Sequence, residues 1–152
     1  MRISGIVFLF LLLRAFSQEA NAQACADYHT RACPIPDFSY YYDQQSTSVS
    51  LRVGEKAEVN IVVFELTDYF VSVCSHRKFK NINLRILDDA SGRKVLFDNA
   101  AESYVDSVKF TNNATKKLIL EILVPEEGND KSDTRERCVG VLVAKRINVD
   151  AF

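Results

Sequence analysis

Tryptophan is absent from the 152 residues, methionine occurs once, proline three times and glycine five times. So little glycine and proline excludes collagen-like, linker-like and low-complexity chains. An excess of charge of one sign is also missing. Lysine and arginine number 19 against 20 aspartates and glutamates, a formal net of −1. No basic field is there to attract nucleic acid, and none is expected as a partner. Beyond residue 22, no uncharged apolar run approaches the ~20 residues that span a bilayer. Histidine is confined to His29 and His76, which leaves little for general-base chemistry near neutral pH. Gly-x-Ser-x-Gly, His-Glu-x-x-His, Cys-x-x-Cys and the phosphate-binding glycine loop do not occur. What is present is a hydrophobic content of 47%, too high for global disorder, in a length that suits one domain.

Residues 1–22 read as a signal peptide. Arg2 gives a positive start, Ile3 to Leu13 is nearly continuous apolar sequence, and Ala20-Asn21-Ala22 offers small residues to a signal peptidase. Cleavage before Gln23 would remove Arg2, Arg14 and Glu19 and leave a net charge of −2. The expected destination is outside the cytoplasm, periplasmic or secreted. A lipoprotein built on Cys25 is the lesser alternative.

Export decides how the cysteines are read. Cys25, Cys33, Cys74 and Cys138 make an even set, and in an exported chain that predicts two disulfides. Three connectivities are possible. Proximity favours Cys25 with Cys33, which leaves Cys74 for Cys138 at the ends of two β-like runs. Cys25-x3-His29-x3-Cys33 would also place three metal ligands on one helix face. It lacks a fourth ligand and the usual zinc spacing, so no metal and no cofactor is expected.

Residues 23–47 read as an irregular segment. Pro34 and Pro36 bracket Ile35 and discourage helix and central strand. From residue 48 to 148 a period of two takes over. Val49, Leu51 and Val53 alternate with polar residues, as do Val59, Ile61 and Val63. Tyr69 to Cys74 is aromatic and β-branched. Ile82, Leu84 and Ile86 lead into the turn Asp88 to Gly92, and Val95-Leu96-Phe97 returns as a hairpin. Tyr104–Thr111, Leu118–Val124 and Cys138–Arg146 complete the set, with a charged loop over 126–137. About eight short strands and no helix of useful length predict an all-β antiparallel sandwich, jelly-roll-like.

Several of these motifs fall in a familiar order. Asp68-Tyr69-Phe70-Val71-Ser72-Val73, then Leu84-Arg85-Ile86-Leu87-Asp88 with Ser91-Gly92, then Leu96-Phe97-Asp98-Asn99 and Lys117–Ile122 resemble the bacterial pre-peptidase C-terminal domains. The resemblance spans roughly residues 48–146. It implies a jelly-roll-like sandwich that accompanies secreted enzymes without performing their chemistry.

The candidate binding loop is His76-Arg77-Lys78-Phe79-Lys80, three fixed positive charges around one aromatic ring. It would suit an envelope glycan, an acidic protein or a lipid surface. Phe38, Tyr40, Tyr41 and Tyr42 could stack on sugars, although alternate rings of such a run usually enter a core. Asp88, Asp89 and Asp98 could hold calcium, but turn aspartates ordinarily bond their own backbone. Asn113-Ala114-Thr115 has the glycosylation pattern. The expectation is therefore a non-catalytic exported binding or accessory module. A hydrolase using loop carboxylates and a purely structural envelope component are the alternatives.

Overall fold

The computed structural model describes residues 25–147, so the expected signal peptide and its expected cleavage position lie outside the described residues. Among the described residues one short helix, α1 (Tyr28–Ala32), precedes nine strands: β1 (Tyr41–Tyr42), β2 (Thr47–Leu51), β3 (Lys56–Val63), β4 (Thr67–Ser75), β5 (Asn83–Asp88), β6 (Lys94–Asp98), β7 (Ser107–Asn112), β8 (Lys116–Leu123) and β9 (Arg137–Ile147). A single 3-10 turn, Asn99–Glu102, links β6 to β7. The strands form two antiparallel sheets. One runs β1-β9-β4-β7, with β2 also paired to β9; the other runs β3-β8-β5-β6. This is the antiparallel β-sandwich the alternation predicts.

The alternating residues fill the space between the sheets. Tyr69, Val71 and Val73 from β4 and Val139, Val141 and Val143 from β9 meet Ile61, Val63, Leu84, Leu118, Leu120 and Ile122 from the other sheet. Most of these are fully buried. Each is worth ~1.5–3 kcal/mol of transfer free energy relative to exposure.

Two boundaries differ from the sequence expectation. The break after β3 falls at Phe64–Leu66, where Leu66 takes a left-handed φ of 52°, and β4 opens at Thr67, ahead of the expected start at Tyr69. Residues 103 and 104 are both left-handed, at φ 58° and 59°, so the strand expected from Tyr104 begins at Ser107. The turn is held by Asn99, which is fully buried. Its side-chain oxygen accepts from Leu84 N at 2.8 Å and from Asn83 Nδ2 at 2.9 Å. Its Nδ2 donates to Ile82 O at 2.9 Å and Val105 O at 2.8 Å.

Strands β4 and β9 are apolar at consecutive positions because both of their faces are covered. The inner face meets the second sheet. On the outer face, Phe70, Leu142 and Ala144 pack with Cys33 and Tyr40 from the N-terminal segment. Residues 25–40 thus form a strap over the outer face of the first sheet, which the chain then joins as β1. The segment expected to be irregular contributes α1, β1 and a buried apolar cluster.

The disulfides staple this strap and correct the expected connectivity. Cys25 bonds Cys138 and Cys33 bonds Cys74, each with Cα atoms 5.3 Å apart. Cys74 lies opposite Gly140 in the β4–β9 register, so Cys138 is two rungs away, and such diagonal neighbours sit ~7–8 Å apart, too far to bond. Cys25 and Cys33 lie on either side of α1, and each is bonded to a different strand residue, Cys138 of β9 and Cys74 of β4. The shared helix face does not form, because α1 holds only His29 of the three; Cys25, His29 and Cys33 are nevertheless all buried. None of the four cysteines is free to ligate metal.

Candidate functional site

Gly140 on β9 is where the strap comes closest. A Cβ there would lie 2.7 Å from Cys74 Sγ, 2.8 Å from Cys33 Sγ and 2.8 Å from His29 Cα. Only a residue without a side chain permits this approach. Beside it, His29 N–H donates to Ser48 Oγ at 2.8 Å, and the ring Nδ1 is hydrogen-bonded to the same oxygen at 2.7 Å. Nε2 is 2.6 Å from Tyr42 Oη, with the two rings stacked at 5.9 Å. Burial lowers the His29 pKa, an effect the nearby Asp27 partly offsets. Both ring nitrogens are thus engaged in tying α1 to β1 and β2. Cys33 and Cys74 are bonded to one another, so neither offers His76 a thiol.

Between the Cys33 staple and Tyr40 the strap leaves the surface as the loop 34–39. Its far end is anchored by Tyr40, which is buried edge-on against Phe70 with ring centroids 6.2 Å apart. Lys109 Nζ and Arg146 Cζ approach the Tyr40 ring to 5.5 Å and 4.9 Å, favourable cation–π distances. The tip is closed by Asp37. Its carboxylate accepts from Ser39 N at 2.8 Å and from the Ser39 hydroxyl, and these bonds hold its pKa below the ordinary carboxylate range. Arg146 Nη1 donates to Ser39 Oγ at 3.2 Å. On this braced tip Phe38 is 99% exposed. Ile35 on the same loop and Tyr41 just after it are exposed at 42% and 70%. Of the aromatic run, Tyr40 enters the core and Phe38 and Tyr41 do not.

The loop singled out by its charge is built differently from expectation. Arg77, Lys78 and Lys80 are exposed and His76 is half-buried, but Phe79 is buried at 6% exposure in the main core. Phe79 N donates to His76 O at 2.8 Å, and this tight turn swings the ring inward. The charged loop 126–137 lies against it. Lys80 N donates to Asn129 Oδ1 at 2.7 Å, and Asn129 Nδ2 donates to Asn81 O at 2.9 Å and Pro125 O at 2.8 Å. Three of the loop's five carboxylates are in ion pairs: Glu126 with Lys131 at 2.8 Å, Asp133 with Arg135 at 2.8 Å, and Glu136 with Arg52 at 2.6 Å. The cationic trio therefore adjoins an acidic loop and does not form a field of one sign.

Other carboxylates are engaged in the same way. Asp88 accepts from Ala90 N and Ser91 N at 3.0 and 3.2 Å. Asp98 accepts from Asn83 Nδ2 at 2.7 Å and Ala100 N at 3.0 Å. Glu121, which is buried, meets Lys56 Nζ at 2.8 Å and Arg85 Nη1 at 2.7 Å. Its hydrogen bond to Lys56, then that to Arg85, holds its carboxyl below the usual range, so it stays an anion at neutral pH. Among the described residues no group of three His, Cys, Asp or Glu is placed to hold a metal ion. Among the same residues, no helix is long and apolar enough to cross a membrane.

No protein-family model and no curated protein matches the chain. Among solved structures it is similar to the crystal structure of Aeromonas hydrophila PliG, a periplasmic lysozyme inhibitor of g-type lysozyme, with a TM-score of 0.46 and 9% identity over 71% of this chain and 87% of that one. A likeness that remote carries no functional argument.

Proposed function

We propose that the chain is an exported, non-catalytic binding module that docks on a partner protein through the strap loop 34–39. The observation that carries this reading is Phe38, 99% exposed on a loop braced at both ends. Leaving a phenylalanine in water forgoes ~1.5–3 kcal/mol of burial, and nothing in the loop's own geometry requires an aromatic there. The Cys33–Cys74 bond, the Asp37 turn and the Tyr40 anchor hold the tip before any partner arrives. A pre-ordered loop loses little conformational entropy on binding. A central aromatic in a partner's recess is the usual energetic focus of a protein interface. Ile35 and Tyr41 extend the apolar contact, and the partner would present an apolar recess.

Export is supported by the leader-like first 22 residues and by two disulfides with no free cysteine among the four. The sequence resemblance to a non-catalytic sandwich domain agrees with the reading. Arg77, Lys78 and Lys80 remain a secondary contact suited to steering, since exposed charge pairs contribute only ~0–1 kcal/mol each.

The test is site-specific photocrosslinking. A benzophenone side chain placed at position 38 should give one dominant crosslinked protein in the native envelope fraction, and Ile35→Asp should suppress it. The parent and Phe38→Asp proteins should melt at the same temperature. Diffuse crosslinks indifferent to Ile35→Asp would show that the exposed ring serves no docking.

A further inference from the structure

At the side of the sandwich opposite β2 and β3, strands β6 and β7 are the free edges of their sheets. Among the described residues no strand bridges them, and a slot opens between the sheets. Its walls are Ile86, Leu96, Phe97, Val108, Phe110 and Leu118, and its volume is about 270 Å³. That is near the lower end of small-ligand cavities, ~300–1,000 Å³. Phe97, Val108 and Phe110 pack on the core from one side and remain only half-buried. At the mouth Leu96 is 46% exposed, and Val95 and Val105 stand exposed nearby. The apolar lining therefore continues to the solvent.

Polar groups line one end only: Thr111, Asn112 and Lys116. Two of the three are committed. The Thr111 hydroxyl donates to Asp68 Oδ1 at 2.7 Å. Asn112 Nδ2 donates to Phe64 O at 3.0 Å and Ala114 O at 2.5 Å. Lys116 has only a loose partner, Asp88 Oδ2 at 3.5 Å. Asp88 Oδ1 already accepts two backbone amides. Lys94 sits opposite Asp88 in the β5–β6 register. The slot thus combines an apolar trough with one available cation at its end.

We propose that this slot binds a single-chain amphiphile with a carboxylate head. Its alkyl chain would lie along Val108, Phe110, Ile86 and Leu118, and its head group would meet Lys116. The site lies on the inner side of β7, away from the strap, and does not depend on the docking reading above.

The test uses dodecanoate, dodecylamine and dodecanol as monomers, with binding followed by calorimetry and by amide chemical shifts. Dodecanoate should bind with shifts confined to β6, β7 and the end of β8. It should bind roughly tenfold more tightly than dodecylamine, the worth of one charge-assisted hydrogen bond. Lys116→Ala should bring dodecanoate to the level of dodecanol. Val108→Trp should fill the slot and abolish binding; Leu96→Glu, at the exposed rim, does the same without touching the core. Absence of dodecanoate binding at its highest monomer concentration would overturn the proposal. So would equal binding of all three probes, or binding that neither slot variant weakens.

Discussion

Replacing Gly140 by alanine puts a methyl group where the strap leaves no room. The new carbon would stand 2.7 Å from Cys74 Sγ and 2.8 Å from both Cys33 Sγ and His29 Cα. Ordinary carbon contacts lie at ~3.5–4.0 Å, so roughly an ångström of relief is needed on three sides at once. One neighbour is backbone and two are sulfurs of a disulfide, so no flexible side chain can simply rotate away. Overpacking of this kind costs ~1–3 kcal/mol. For a domain of this size that lowers the melting temperature by ~3–15 °C. Thermal unfolding by circular dichroism reads the shift, with non-reducing peptide mapping to confirm that Cys25–Cys138 and Cys33–Cys74 are intact. The cause is isolated by a double-mutant cycle. Replacing Cys33 and Cys74 together by serine removes two of the three clashing atoms' covalent constraint, so the penalty for Gly140→Ala should shrink in that background. A melting temperature within 1 °C of the parent, with both bonds present, would refute the close approach of the strap, however plausible the strap's other contacts.

Asn99→Ala should cost ~2–4 kcal/mol, because it leaves the amide of Leu84 and the carbonyls of Ile82 and Val105 without their side-chain partner in a buried turn; denaturant unfolding at constant slope checks it. The lowered His29 pKa gives a pH dependence of definite sign. The unfolded chain protonates first, so the stability from neutral His29 is complete above its ordinary pKa near 6.5 and declines as pH falls through that value toward the lower folded one. His29→Gln should flatten this part of the stability profile between ~pH 7 and 5, and an unchanged slope would show that the imidazole is not buried against Ser48 and Tyr42.

Much of the sandwich was legible because alternation is a direct consequence of having one wet and one dry face. Ile61 and Val63, or Leu118, Leu120 and Ile122, announce their own inner face without reference to any partner. The strap was not legible in that way. Its signal was the loss of alternation in Val139-Gly140-Val141-Leu142-Val143-Ala144, where Leu142 and Ala144 stand on the outer face and still avoid water. A strand apolar on both faces requires two covering layers, and the sandwich alone supplies one. The disulfide pattern depended on the same missing information. Whether Cys74 can reach Cys138 is settled by the β4–β9 register, and register is a relation between strands that neither strand encodes by itself.

Function was harder to read for a related reason. Charge density singled out residues 76–80, but exposure belongs to the fold and not to the residue type. Phe79 lies among four polar neighbours in sequence and still enters the core, because the 76–79 turn reverses it. Phe38 lies in an aromatic run that reads as core and points wholly outward. The physical difference between the two rings is which backbone anchors flank them. Phe79 closes the turn that follows directly on β4, whose pairing with β9 fixes where the turn lands. Phe38 sits between a disulfide and a buried tyrosine that pull the chain down on either side, and the residues between two such anchors have nowhere to go but out.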